Sequence, residues 1–459
     1  MQTAGAAAGT INLTELMDNC RIGSLQIRVF ALCLASLIMD GFDVQAMGFV
    51  ATTMLGEWNE PAPRLGGLLA WGNGGVLVGA IVFSMLADKI GRRPVLVWAT
   101  LFYAVMTIVT AYSQDVEQMR WLRFIAGIGL GSIIPQATAL VGEFSPKRTR
   151  VAWIMCITVG FTFGAVIGGF IANELIEEFG WRSVFIFGGA VPLVFAILMF
   201  FWLPESLQFL AVRKQRFDQL ARWLKELDPR LRVDSGTQFT SNETSRRGVP
   251  FWHLFLEGRA FVTVLLWIVN FTNILVLYSL SGWLPLIFQN LMDYERSTAI
   301  WLATVVQIGG TVGAFGLAWL ITRAGFTPML ALTFVVATVS VALIGQPGLS
   351  LPVLYVIVFI AGWCIVGGQP GLNALSSTYY PTYLRSTGVG AGLGVGRIGA
   401  IVGPMMGSAL VAAQWQPQQL LWAAAVPAAV STAVIVTLWF VLGPTPKQSG
   451  AAEAPALAH

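Results

Sequence analysis

The sequence predicts an all-α membrane protein, with twelve transmembrane helices in two pseudo-symmetric six-helix bundles. Three observations predict it. The 459 residues are 56% hydrophobic and only 11% charged, whereas soluble domains carry about 25% charged residues. Apolar runs long enough to cross a bilayer recur along the whole chain. The second half also repeats the first. Phe124-Ile125-Ala126-Gly127 matches Phe359-Ile360-Ala361-Gly362, and the same register pairs Pro135 with Pro370, Leu140 with Leu375, Pro146 with Pro381, Arg150 with Arg385 and Gly164 with Gly399. Two prolines and an arginine in one register mark a parallel duplication, in which two halves flank a central site.

The remaining composition agrees. The 49 glycines and 17 tryptophans suit close-packed membrane helices with interfacial anchors. No signal peptide is evident, since the first apolar run is long and lacks an Ala-x-Ala-like cleavage site. Cys20, Cys33, Cys156 and Cys364 fall in predicted cytoplasmic or buried positions and imply no disulfide framework. His253 and His459 are the only histidines, which excludes a histidine metal cluster or catalytic triad. The net charge of +4 reflects basic loops at the membrane and not nucleic-acid binding.

In chain order, residues 1–28 form a cytoplasmic segment. Asn12-Leu13-Thr14-Glu15 gives it a capping-box pattern, ahead of a short amphipathic stretch expected to lie on the membrane. Residues 29–203 form the first bundle, with spans near 29–55, 65–86, 94–112, 118–143, 150–175 and 181–203. Residues 204–258 are a polar, partly helical cytoplasmic linker. Residues 259–442 form the second bundle, with spans near 259–290, 298–322, 328–346, 352–379, 386–412 and 418–442, and 443–459 are a cytoplasmic tail. Lys and Arg set the orientation. Arg28, Lys89, Arg92, Arg93, Lys147, Arg148, Arg150, Arg323, Arg385 and Lys447 crowd one side, whereas Arg64, Arg120, Arg182 and Arg296 are spread over the other. Both termini are therefore expected inside.

Asp40-Gly41-Phe42-Asp43 interrupts the first span. A carboxylate at the bilayer centre costs at least about 2.5–3.5 kcal/mol, so an intramembrane Asp is a functional candidate by default. The i,i+3 spacing puts both acids on one helix face. Counted from Arg28, they lie roughly 17 and 22 Å deep in a core of about 30 Å. In span four, Arg123 and Glu143 belong to opposite ends. Glu143 should join a cytoplasmic charge network with Arg92, Arg93, Arg148 or Arg150. Arg123 enters from outside and reaches the estimated depth of Asp43, so the two are expected to pair. A snorkelling interfacial arginine is the alternative.

Arg397 sits roughly 18 Å deep in span eleven, in the glycine-rich GVGAGLGVGRIGAIVG, and its duplicate position holds Thr162. A buried guanidinium with no acid in its own half suggests an anionic ligand, because Arg matches a carboxylate bidentately. Pairing with Asp40 or Asp43 across the bundle is the alternative. Proton handling by Asp40, Asp43 and Arg123 is thus expected in the first half, and carboxylate binding in the second. Gln136, Asn270, Asn273, Tyr278, Gln307, Trp363, Gln369 and Asn373 are further candidates for substrate contact, each with an alternative role as an interhelical hydrogen bond or lipid anchor.

Asp88-Lys89-Ile90-Gly91-Arg92-Arg93, between spans two and three, resembles the signature loop of the major facilitator superfamily, with Ser84 where that loop usually begins with Gly. The resemblance implies the two-bundle fold of that superfamily and a cytoplasmic gate locked by Asp88, Arg92, Arg93, Glu143, Arg150 and Arg385. The second copy, Thr322-Arg323-Ala324-Gly325-Phe326-Thr327-Pro328, has lost its acid, which leaves Arg323 and Arg385 to gate that half. Asp-Gly-Phe-Asp at 40–43, Gly180-Trp181-Arg182-Ser183, Pro204-Glu205-Ser206 and Tyr380-Pro381-Thr382-Tyr383-Leu384-Arg385-Ser386-Thr387-Gly388 look like the aromatic acid:proton symporters, whose best-known members carry 4-hydroxybenzoate and protocatechuate. That likeness implies that Asp40, Asp43, Arg123, Glu143, Arg385 and Arg397 are needed for transport.

The expectation is then a proton-coupled importer of a benzoate or hydroxybenzoate in the inner membrane. It would have no enzymatic activity and no cofactor beyond the coupling proton. Its expected partners are the aromatic carboxylate, protons and the lipid bilayer, with no nucleic acid, and the chain is expected to act as a monomer. A carrier of a non-aromatic organic acid or sugar on the same fold, and a membrane sensor for aromatic acids, are the alternatives.

Overall fold

The computed structural model describes residues 10–20, 22–213, 217–227, 238–240, 251–381 and 383–444. Strand β1 (Thr10–Asn12) and helix α1 (Leu13–Asn19) precede the first bundle. That bundle comprises α2 (Ser24–Glu57), α3 (Arg64–Ile90), α4 (Arg92–Thr110), α5 (Val116–Leu130), α6 (Ile133–Phe144), α7 (Arg150–Phe179) and α8 (Arg182–Trp202). The linker contributes α9 (Leu207–Arg213), α10 (Phe217–Leu227) and strand β2 (Gln238–Thr240), which pairs in parallel with β1. The second bundle comprises α11 (Ala260–Leu286), prolonged by the π-turn Ile287–Leu291, then α12 (Arg296–Ala324), α13 (Phe326–Ile344), α14 (Leu351–Tyr379), α15 (Arg385–Ala412) and α16 (Pro417–Leu442). Among the described residues, 11 helical stretches are long and apolar enough to cross a membrane, with α5 and α6 forming one of them. The first expected span, α2, is not among the 11. At 34 residues it is long enough to cross, but it carries two carboxylates at mid-length and is largely buried by its neighbours.

The duplication recurs in three dimensions. In the first bundle α2 packs on α7, α3 on α5 and α4 on α8; in the second, α11 packs on α15, α12 on α14 and α13 on α16. Counted as spans, first meets fifth, second meets fourth and third meets sixth in both halves. Glycine makes the tightest of these approaches possible. A Cβ on Gly41 would lie 1.8 Å from the Phe161 carbonyl oxygen, and one on Gly164 would lie 1.8 Å from that of Ile38. The backbones of α2 and α7 therefore touch, which fixes the turn carrying Asp40 and Asp43 against the centre of the bundle.

The halves meet through α2 with α11, α3 with α15 and α7 with α12. Phe49, Met54 and Leu55 share one apolar cluster with Leu280, Leu284 and Phe288. At the same end the Thr52 hydroxyl donates to Gln289 Oε1 at 2.6 Å, the Ser408 hydroxyl donates to the Pro63 carbonyl, and Arg296 pairs with Glu177 at 3.8 Å. Among the described residues, the ion pair and side-chain hydrogen bonds that join the bundles directly all lie at this end. Large apolar side chains such as Ile81, Met85, Phe201 and Phe440 are exposed, as a lipid-facing surface requires.

Candidate binding and coupling site

Asp40 and Asp43 are 3% and 0% exposed. Arg123, from α5, meets Asp43 with both terminal nitrogens, Nη2 donating to Oδ2 at 2.6 Å and Nη1 to Oδ1 at 3.0 Å. The Thr107 hydroxyl of α4 donates to Oδ1 at 3.3 Å, and the guanidinium sits 5.7 Å from the centre of the Phe185 ring. Helices α2, α4, α5 and α8 thus converge on one buried, bidentate pair, the geometry that best offsets the desolvation of both charges. Asp40, about one turn away, has no hydrogen-bond or ion-pair partner among the described residues.

Between the bundles lies a cavity of about 200 Å³. Its first-bundle wall is formed by α2 and α7, with Gln45, Phe161 and Thr162; its second-bundle wall is formed by α11, α12, α14 and α15. Arg397 lines it and donates through Nη1 to the Tyr278 hydroxyl at 3.2 Å. No carboxylate among the described residues lies within ion-pair distance of Arg397. Thr162, its duplicate position, lines the same cavity, so the two halves offer a guanidinium and a hydroxyl from equivalent places. The lining residues at one end, Thr158 and Leu393, are exposed, whereas Gln45, Ser281 and Gln307 at the other are buried. The cavity therefore opens away from the end where the bundles are sealed.

The other expected substrate contacts divide in two. Tyr278, Gln307, Gln369 and Asn373 line the cavity. Asn270 and Asn273 stand behind it. Asn273 Nδ2 donates to Gln369 Oε1 at 2.7 Å, while Gln369 Nε2 donates to Asn270 Oδ1 at 3.0 Å and to Asn373 Oδ1 at 3.2 Å. Gln307 Nε2 donates to the Ser281 hydroxyl at 3.1 Å. Trp363 packs against the glycines of α12, its ring 2.3 Å from where a Cβ on Gly316 would be, and does not line the cavity. Gln136 is buried on α6 outside the lining. Gln45 and Ser281 do line it, although nothing in the apolar runs around them singles them out.

At the opening end, Arg92 pairs with Glu143, which also accepts from the Ser206 hydroxyl. Arg150 binds Asp18, beside α1, at 2.5 Å instead of Glu143. Arg93 donates to the Phe200 carbonyl. Asp88 is exposed, and neither it nor Arg385 makes an ion pair among the described residues. The network formed here stays within the first bundle and its flanking segments. Its centre is Glu205, 3% exposed, whose Oε1 accepts from the backbone N–H groups of Arg92, Arg93 and Ser206. Glu205 thereby caps the start of α4 from a distant part of the chain. Burial pushes its carboxyl above the usual range, and these N–H bonds oppose the shift.

Gly91 explains why that loop turns as it does. Its φ of 107° and ψ of 160° fall in a region essentially restricted to glycine, and Gly325, its duplicate, has φ 89° and ψ 166°. The turn geometry survives in the second copy where the charges have gone. A Cβ on Gly91 would lie 2.3 Å from Glu205 Oε2. Gly91→Ala should therefore cost on the order of 1–3 kcal/mol from the backbone alone, read as a lowered melting temperature of the detergent-purified protein. An unchanged melting temperature would separate the turn from stability.

The sequence profile of the Major Facilitator Superfamily matches residues 32–391 and 266–458. The chain is 31% identical to the 4-hydroxybenzoate transporter PcaK of Pseudomonas putida, over 95% of this chain and 97% of that one. It is 35% identical to a gallate transporter of the same organism, over 87% and 89%. Among solved structures, a D-xylose-proton symporter superposes with a TM-score of 0.70 at 15% identity, covering 92% of this chain and 99% of that one, a likeness of fold alone.

Proposed function

Because the chain belongs to the major facilitator superfamily, within its aromatic-acid transporters, we propose that it is a proton-coupled importer of an aromatic carboxylate of the benzoate or hydroxybenzoate class. It is a multi-pass membrane carrier and not an enzyme. The proposed setting is the inner membrane, with both termini cytoplasmic and the opening end of the cavity facing the cytoplasm. The observation that carries the substrate class is Arg397, a guanidinium on the wall of an otherwise mostly apolar cavity, with a tyrosine hydroxyl beside it and no acid to neutralise it. A carboxylate meets the fork and an aromatic ring fills the space between Phe161 and Leu277.

Coupling follows from electrostatics. The field of Arg397 reaches Asp40. An anion bound on Arg397 cancels that field, so a proton on Asp40 and a carboxylate on Arg397 favour each other, and by linkage the effect is reciprocal. The loaded site then carries no uncompensated charge while the bundles rock around it. The Asp43–Arg123 pair lies wholly within the first bundle and moves with it.

The test is uptake into proteoliposomes under an imposed pH gradient. Labelled 4-hydroxybenzoate should accumulate, whereas hexose, shikimate and muconate should not. Accumulation of the non-aromatic solutes alone would overturn the substrate class, and binding without accumulation would point to a sensor. Arg397→Lys keeps the charge but loses the fork. Since hydrogen bonds to charged groups are worth about 1.5–3 kcal/mol, affinity should fall roughly tenfold or more. Unchanged affinity would assign Arg397 to structure.

A further inference from the structure

We propose that Gln45 is the first bundle's substrate-binding residue, and that it reads a hydroxyl on the ring of an acid whose carboxylate is held by Arg397. The inference rests on the aromatic-carboxylate reading and specifies its ligand as a hydroxylated aromatic acid.

Gln45 is 2% exposed and lines the central cavity. Its Nε2 is buried with no hydrogen-bond partner, and among the described lining residues it is the one with such an atom. The other polar groups of the lining are spoken for. Thr162 donates to the Val159 carbonyl within its own helix, Gln307 to Ser281, Gln369 to Asn270 and Asn373, and Arg397 to Tyr278. A buried amide left without a partner is costly, and a ligand oxygen that satisfies it is favoured for the same reason.

Its level in the cavity follows from helix register. A Cβ on Gly48 would meet the Ser281 carbonyl at 2.8 Å, and Thr52 bonds to Gln289, so α2 and α11 run side by side in the same direction. One turn back from Gly48 is Gln45, and one turn back from Ser281 is Tyr278. Gln45 therefore stands on the opposite wall at the level of the Tyr278–Arg397 pair. Val44, Phe161 and Leu277 supply apolar lining around it. Arg397 and Tyr278 already provide donors for a carboxylate, and the amide across the cavity is left for a second oxygen. A ligand that reaches both walls ties the two bundles together.

The experiment compares benzoate with its 2-, 3- and 4-hydroxy derivatives in proteoliposome competition assays, for the wild-type protein and for Gln45→Leu. The wild-type protein should prefer at least one hydroxylated acid. Gln45→Leu should lose about tenfold in affinity for that acid while affinity for benzoate stays near the wild-type value. Gln45→Met, with a flexible side chain of similar length, serves if the leucine variant does not fold, and stabilisation by benzoate in a thermal-shift assay reports a folded site. A retained hydroxyl preference, or an equal loss for benzoate and its hydroxy derivatives, overturns the assignment while leaving the carrier reading intact. A wild-type protein that binds none of these acids overturns both.

Discussion

Asp40→Asn should abolish accumulation of substrate against its gradient while leaving exchange of substrate across the membrane close to wild type. The amide has nearly the shape of the protonated acid and never acquires the charge, so the variant is held in the loaded protonation state. Asp40 is the residue for this role because it is buried, lacks any partner among the described residues and senses the Arg397 field. An ionised carboxyl so placed is expensive to carry across a membrane, whereas a neutral one is not. Counterflow in proteoliposomes with no pH gradient measures exchange, and uptake under an imposed gradient measures coupling. Normal uphill uptake by the variant would remove Asp40 from the coupling path, and loss of both activities would assign it to binding or structure instead.

Much of this site can be read from the chain, for definable reasons. Depth along a helix is a matter of counting residues, so the shared depth of Arg123 and Asp43, and the mid-membrane position of Arg397, follow from 1.5 Å per residue. The duplication survives as prolines and glycines because those residues serve backbone geometry, as the matching conformations of Gly91 and Gly325 make plain. Rotation about the helix axis is harder to recover. In a soluble helix the polar face marks the solvent side, but α11 and α14 are apolar all round, and lipid and core look alike to them. Asn270 and Asn273 consequently read as cavity residues although they brace Gln369 from behind, and Trp363 faces the glycines of α12. Gln45 and Glu205 carry the opposite signal. Each is one polar residue whose importance comes from what its buried atoms lack or accept, which spacing does not encode. Gate pairing was the least legible, because Asp18, from outside the bundles, takes Arg150, and neither Asp88 nor Arg385 finds an ion-pair partner in the described arrangement of the halves.

The Asp43–Arg123 pair yields the sharpest separation of structure from coupling. Arg123→Met alone leaves a fully buried carboxylate uncompensated and should cost about 3–5 kcal/mol, seen as poor expression and a large fall in melting temperature. Asp43→Leu alone strands the guanidinium and should do the same. The double variant Asp43→Leu/Arg123→Met removes both charges and fills the space with apolar side chains of similar volume. Replacements of that kind are often neutral or stabilising by about 1–4 kcal/mol, so its melting temperature should return to the wild-type value or above. Uphill accumulation should not return with it. The Asp43 carboxylate, about one turn from Asp40 and fixed by Arg123 and Thr107, forms part of the field that sets whether Asp40 holds or releases its proton. Without the pair, Asp40 faces Arg397 alone and the release step fails, leaving a stable carrier that equilibrates substrate without concentrating it. If the double variant recovered both stability and uphill uptake, the pair would be a brace between α2 and α5 and coupling would rest on Asp40 and Arg397. If it recovered neither, the bidentate geometry itself, and not the balance of charge, would be what holds the first bundle together.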